Sequence, residues 1–343
     1  MMPLTFMVAT IQRFPPILLL FLLFGCGGSQ PDVEKINLNL SFDRILLDSY
    51  SNPRQLDSAL NSIAERHPDF FPAYGGPVLG LFVGLDSVPP AAVWSRYYFD
   101  PQVKALRDSV NNRFADFEPE KKEIEQALKL YTYHFPSKKI PDVFFFLGGF
   151  NYTVVALENS IGIAPDQYLG PASEYYAHLP AYIRRKKDPS LLPVDVLKGW
   201  LESEIMADSM ALPVTLLDHI IQFGKVWSVA KRCFPEVSDS IISGFSQQQL
   251  EFCSEHEFLI WNSLIQDQKL YTKDPRIISK FMNEAPFSPG MPAESPGKAA
   301  VWLGWRIVEA FLDRNPNEFQ NLFSAPWTPE AVLQKSGYNP KKP

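Results

Sequence analysis

The chain has 343 residues, of which 46% are hydrophobic and 13% aromatic, enough for a sizeable core in one large domain or two intimate ones. Its formal charge is −6 and its lysines and arginines are scattered, which argues against a nucleic-acid partner.

The N-terminus reads as an address. Ile17 to Phe24 is an apolar run of eight residues, too short to span a bilayer, with Arg13 before it and Leu23-Phe24-Gly25-Cys26 closing it. That layout resembles the bacterial lipoprotein signal, in which the cysteine is lipidated and becomes the first mature residue. Phe24 departs from the usual small residue two before the cysteine, and Met7 is an alternative start. The expected organisation is a signal over 1–25, a short tether over 26–32 with Cys26 lipidated, and a single globular domain over 33–343. Three acyl chains on Cys26 would hold the protein firmly to a membrane, since one chain is marginal and two already suffice.

Along the body, Val33 to Leu47 alternates through Ile36, Leu38, Leu40 and Phe42, which predicts a half-buried strand near 34–42. Leu56 to Arg66 reads as helix, Gly75 to Pro90 as loop, and Val93 to Tyr98, Gln102 to Phe114 and Pro119 to Phe135 as helices. Phe144-Phe145-Phe146 marks a strand over 142–147, Gly148-Gly149 turns the chain, and strands are expected at 152–157 and 160–163. Helices then predominate, at about 174–187, 193–210, 213–232, 247–266, 274–282, 297–314 and 329–335. The fold class is α+β, a predominantly helical single domain with a small sheet.

One late stretch organises the rest. Ser295 is placed to cap a helix with Pro296 as its first residue, and Val301, Gly304, Trp305, Val308, Phe311 and Leu312 share a face. A glycine costs a helix about 1 kcal/mol relative to alanine, so Gly304 between two tryptophans implies that another backbone comes close there. Trp302 and Arg306, one turn apart and off that stripe, form a candidate interaction surface, against the reading of a buried core helix.

Familiar catalytic signatures are missing. His219-Ile220-Ile221-Gln222-Phe223 has the first histidine of H-E-x-x-H but neither the glutamate nor the second histidine. Gly224-Lys225 lacks the upstream glycine and the following Ser or Thr of a phosphate loop, and there is no G-x-S-x-G. Glu251 and Glu255 share a helix face beside His256, which reads as a solvated face, with a divalent-ion or acid–base role as the alternative. Arg184-Arg185-Lys186-Lys187 complements a helix C-terminus, and its alternative role is contact with anionic headgroups or an acidic partner. Cys233 and Cys253 either pair, worth roughly 3 kcal/mol in the loop-entropy model, or stand as separately buried thiols. No cofactor is expected.

Several stretches, in order, resemble the gliding-motility lipoprotein GldB family. They are the Cys26 signal, Tyr133-His134-Phe135-Pro136, Asp166-Gln167-Tyr168-Leu169-Gly170, Leu179 to Arg184, Ile220 to Lys225, Trp261-Asn262, Ala285 to Ser288 and Ser295-Pro296-Gly297 through Trp302 to Val308. They spread over nearly the whole mature chain, and the ordered set is more specific than any member. The loop from Gly75 to Pro90 is longer than usual and Cys233 is not a family position. The resemblance implies an envelope lipoprotein, anchored in the outer membrane and facing the periplasm, whose partners are components of gliding or of the associated protein-secretion machinery. It also implies a remote likeness to zinc peptidases whose metal ligands this branch has lost, so no catalytic or metal-binding residue is carried over. The resulting expectation is a non-enzymatic accessory lipoprotein. The alternatives are a hydrolase with acids assembled near Trp302, Trp305, Glu294 and Glu174, and a peptide- or glycan-binding module, which an aromatic-lined pocket without paired acids would favour.

Overall fold

The computed structural model describes residues 31–84, 88–207, 212–323 and 327–342. The signal and Cys26 therefore lie outside the described residues. From Val33 onward the chain forms one compact unit, predominantly helical around a small mixed sheet.

A run of three phenylalanines has no polar face, so it needs cover on both sides, as the interior strand of a parallel sheet has. The sheet supplies this. Strand β1 (Phe42–Ile45) pairs parallel with β2 (Asp142–Phe146), and β2 pairs parallel with β4 (Ser160–Ile163). Strand β3 (Val154–Ala156) lies antiparallel to β4, giving the order β1-β2-β4-β3. On one face of β2 the rings of Phe144 and Phe146 meet Phe70 at 4.6 and 5.3 Å, and on the other Phe145 stacks on Phe117 at 4.3 Å. Gly162 lies opposite Phe144, and a Cβ there would collide with that ring.

The first strand lies later than its alternation predicts. Ile36, Leu38 and Leu40 do pack on the core, but the ladder starts at Phe42 because its partner strand begins only at Asp142, in register Phe42 to Val143. Alternation reports half-burial, and pairing needs a neighbour.

Helices flank the sheet: α1 (Pro53–Arg66), α2 (Pro90–Tyr98), α3 (Pro101–Phe114) and α4 (Glu118–His134). Then come α5 (Leu192–Ala207), α6 (Leu216–Cys233), α7 (Gln247–Glu255), α8 (Glu257–Ile265), α9 (Pro275–Met282), α10 (Ala299–Arg314) and α11 (Pro329–Ser336). Their starts follow capping chemistry. Asn52, Asp100, Asp274 and Thr328 accept backbone N–H groups, while Thr215 with Asp218 and Ser246 with Gln249 form capping boxes.

Three helix expectations are corrected. The stretch 174–187 is a chain of short turns, at Glu174–Tyr176, Ala181–Arg184 and Arg185–Lys187, because Pro180 lacks an N–H and disfavours helix in the residue before it. The single helix over 247–266 breaks at His256, whose Nδ1 lies 2.9 Å from the Phe252 carbonyl oxygen while its ring stacks on Phe252 at 4.2 Å. And α10 starts at Ala299, capped from a distance. Ser288 Oγ accepts from Ala299 N–H at 3.1 Å and donates to the Pro296 carbonyl at 2.7 Å, while Ser295 Oγ accepts from Ser288 N–H at 3.0 Å.

Helices α6 and α10 form the centre of the helical part. They cross glycine to glycine: a Cβ on Gly304 would strike the Ile220 carbonyl, and one on Gly224 would lie 2.9 Å from Trp305 N. Beside the crossing, Trp227 and Trp305 meet edge to face at 5.7 Å, and Arg232 grips both oxygens of Glu309 at 2.9 and 3.0 Å.

Candidate functional site

Where β2 ends, the chain turns through Gly149 (φ +59°) and Phe150 (φ +63°). The glycine occupies the left-handed region freely; the phenylalanine does so at a cost, so something must hold it. That group is Asp166. Because β4 runs parallel beside β2, its end delivers Asp166 beneath this turn, fully buried. Asp166 Oδ1 accepts from Gly148 N–H at 2.7 Å and Oδ2 from Phe150 N–H at 2.8 Å. Tyr176 donates its hydroxyl to the Asp166 carbonyl and accepts from Leu169 N–H at 3.1 Å. Burial raises the Asp166 carboxyl from an ordinary 3.8 to about 6, although both N–H donors and the Lys187 charge favour the anion.

That shift has a sign. Between about pH 4 and about pH 6 the folded chain keeps a proton on Asp166 that the unfolded chain releases. Stability from this group is fully present below its unfolded value and is lost as pH rises through about 6, on the order of 3 kcal/mol in all. Asp166→Asn should remove that pH dependence. It should also lower stability at pH 7 by about 1–3 kcal/mol, since one amide oxygen cannot serve both N–H groups. Denaturant midpoints of both proteins at pH 4, 5, 6 and 7 check this; parallel curves would refute it.

Above the turn lies an open cleft of about 620 Å³, outside the carboxyl ends of the parallel strands, where ligands bind in open sheets of this kind. Tyr97, Gln102, Val103, Phe150, Asn151 and Tyr175 line it, and among the described residues none that lines it is charged. Phe150 and Tyr175 face each other at 5.5 Å, and Phe150 remains 38% exposed. The Tyr97 hydroxyl is buried beside Gly149 with no hydrogen-bond partner among the described residues, and burial raises its pKa. Sequence reading marked Gly148-Gly149 as a turn and Asp166 as part of a motif. It had no signal that would bring Tyr97, Phe150 and Tyr175 together from three separate segments.

The residues singled out by sequence are placed otherwise. Trp302 and Trp305 are 5% and 7% exposed, because α10 is packed by α6, α8, α9 and α11. Of the expected Trp302–Arg306 surface, only Arg306 reaches solvent, where its Nε meets Glu257 at 3.1 Å. Arg184, Arg185, Lys186 and Lys187 form no exposed basic face either, since all four are partly buried. Burial lowers the Lys186 amine to about 8, and it lies 3.5 Å from Glu284, which also holds Lys298 at 2.7 Å. Lys187 donates to Gln167 beside the Tyr176 ring, and Arg185 Nε is buried without a partner among the described residues. Cys233 and Cys253 are free, buried thiols, and burial raises the latter to about 12. Glu251 and Glu255 are exposed. Among the described residues no group of three His, Cys, Asp or Glu side chains is arranged to hold a metal ion.

Comparison with known proteins gives one result. A family model described as gliding motility protein GldB matches residues 27–340. No curated protein and no solved structure matches the chain.

Proposed function

The chain belongs to the gliding motility protein GldB family, and on that premise we propose that it is a lipid-anchored accessory of the gliding machinery and its associated protein secretion. In this reading Cys26 carries the lipid, the tether ends near Asp32, and the body faces the periplasm from the outer membrane. The work is docking, and no bond is broken. The single observation that carries the reading is the family match along the body. The signal layout ending in Gly25-Cys26 supports the anchor.

Deletion of the gene should abolish colony spreading and reduce export of the machinery's cargo, with both restored by the intact chain. Unchanged spreading together with unchanged export would sink the reading. Affinity capture of the intact protein from its own envelope should recover membrane-associated machinery components.

A further inference from the structure

We propose that the cleft above the Gly148–Phe150 turn is a binding site for a neutral oligosaccharide, seated by the rings of Phe150 and Tyr175 with its hydroxyl groups turned to Gln102 and Asn151. The proposal does not rest on the anchor or on a part in gliding.

Three observations lead there. The first is charge. A fifth of the chain is Asp, Glu, Lys or Arg, yet among the described residues no such side chain lines a cleft of about 620 Å³. On the described wall an anionic or cationic ligand would find no side chain to pair with directly, and would lose hydration with little compensation.

The second is which hydrogen-bonding groups remain free. The backbone of the walls is already committed: Gly148 and Phe150 N–H go to Asp166, Asn151 N–H to the Gly148 carbonyl at 3.3 Å, and Leu81 N–H to the Gly75 carbonyl at 2.8 Å. The Asn151 amide nitrogen goes to the Val78 carbonyl at 3.0 Å. An extended peptide needs backbone donors and acceptors to pair with its own, and this wall offers few. What faces the space is ring surface, the exposed Gln102 amide and the Asn151 side-chain carbonyl oxygen, while the partnerless Tyr97 hydroxyl lies buried beside Gly149. A purely apolar ligand such as an acyl chain would leave those polar groups unpaired. A sugar has both an apolar ring face and a rim of hydroxyls.

The third is preorganisation. Phe150 occupies a backbone conformation that a bulky residue rarely adopts, and a buried carboxylate holds it there by two N–H bonds. The result is an aromatic ring presented at the mouth of the cleft, with Tyr175 at 5.5 Å to complete a platform. Rigid aromatic platforms bind rings at little entropic cost.

The test is calorimetric titration of the purified full chain with neutral tetrasaccharides of N-acetylglucosamine and of β-1,4-glucose, and with an anionic uronic-acid tetramer of the same length. Saturable binding of at least one neutral tetramer, and none of the anionic one, is expected. Tyr175→Leu should weaken that binding by about tenfold, and Tyr175→Phe, which keeps the ring, should stay within about twofold. Gln102→Ala, at an exposed position, should weaken it without altering the thermal unfolding midpoint. The proposal is overturned if no neutral tetramer binds, if the anionic one binds as well, or if binding survives Tyr175→Leu intact.

Discussion

Gly304→Ala should destabilise the fold by about 3 kcal/mol or more, although the same substitution in an isolated helix would stabilise by about 1 kcal/mol. The sign reverses because the added methyl meets the Ile220 carbonyl and Cα, which are main chain and cannot rotate away. The helices would have to separate, and the Trp227–Trp305 contact and the Arg232–Glu309 pair both lie across that seam. Gly224→Ala should behave alike, its methyl lying 2.9 Å from Trp305 N. Both methyl groups enter one gap, so once the first has opened it the second costs less. The double variant should therefore fall short of the sum by about 1 kcal/mol or more. Denaturant unfolding of the four proteins measures this. Full additivity, or a stabilised Gly304→Ala, would show that the helices do not meet there.

That crossing was legible from one residue, because a glycine flanked by tryptophans inside a strong helical pattern is costly unless a neighbour requires it. Phe144–Phe146 was legible for a similar reason, since an unbroken apolar run admits few environments. The strand expected at 34–42 shows the limit. Its alternation was real, but the partner that defines a ladder lies a hundred residues away in sequence. The break at His256 has no glycine or proline to announce it, and helix patterning ran through it. Trp302 admits two readings in sequence, core helix or interaction surface, and at 5% exposure it belongs to the core. The helix keeps a narrow outer side, at Arg306, Asp313 and Arg314, and Trp302 is not on it.

The basic run at 184–187, read as the complement of a helix end or else as a contact surface, is drawn partly into the fold. Net charge in a window says nothing about direction, and here the folded turns aim Lys186 and Lys187 inward at Glu284 and Gln167. The stretches that carry the family resemblance are, in the structure, joints of the scaffold. Asp166 clamps the Gly148–Phe150 turn, Tyr168 donates to Asp195 at 2.9 Å, Gly224 admits α10, and Ser288 and Ser295 cap it. The cleft itself is built largely outside those stretches, from Tyr97, Gln102, Phe150 and Tyr175.

The inward turn of the basic run decides what should follow from Cys26→Ala. Two devices were open for holding the protein to a membrane, a lipid on Cys26 and a polybasic contact with anionic headgroups. The second needs several ammonium and guanidinium groups free in one plane, each adding about 1 kcal/mol near an anionic surface. Lys186 and Lys187 are engaged within the fold, and no described helix is long and apolar enough to cross a membrane. The anchor we propose at Cys26 then carries most of the hold on the lipid itself, and its removal should release the protein. Wild type should sediment with membranes and resist a high-salt wash, because acyl chains hold by burial of CH₂ groups at about 0.8 kcal/mol each, which salt does not screen. Cys26→Ala should appear in the soluble fraction at low salt, and a strain carrying it should spread no better than the deletion. A variant retained at low salt and released at high salt would return the basic run to the membrane. One retained at both would mean that the tether is not what holds this protein.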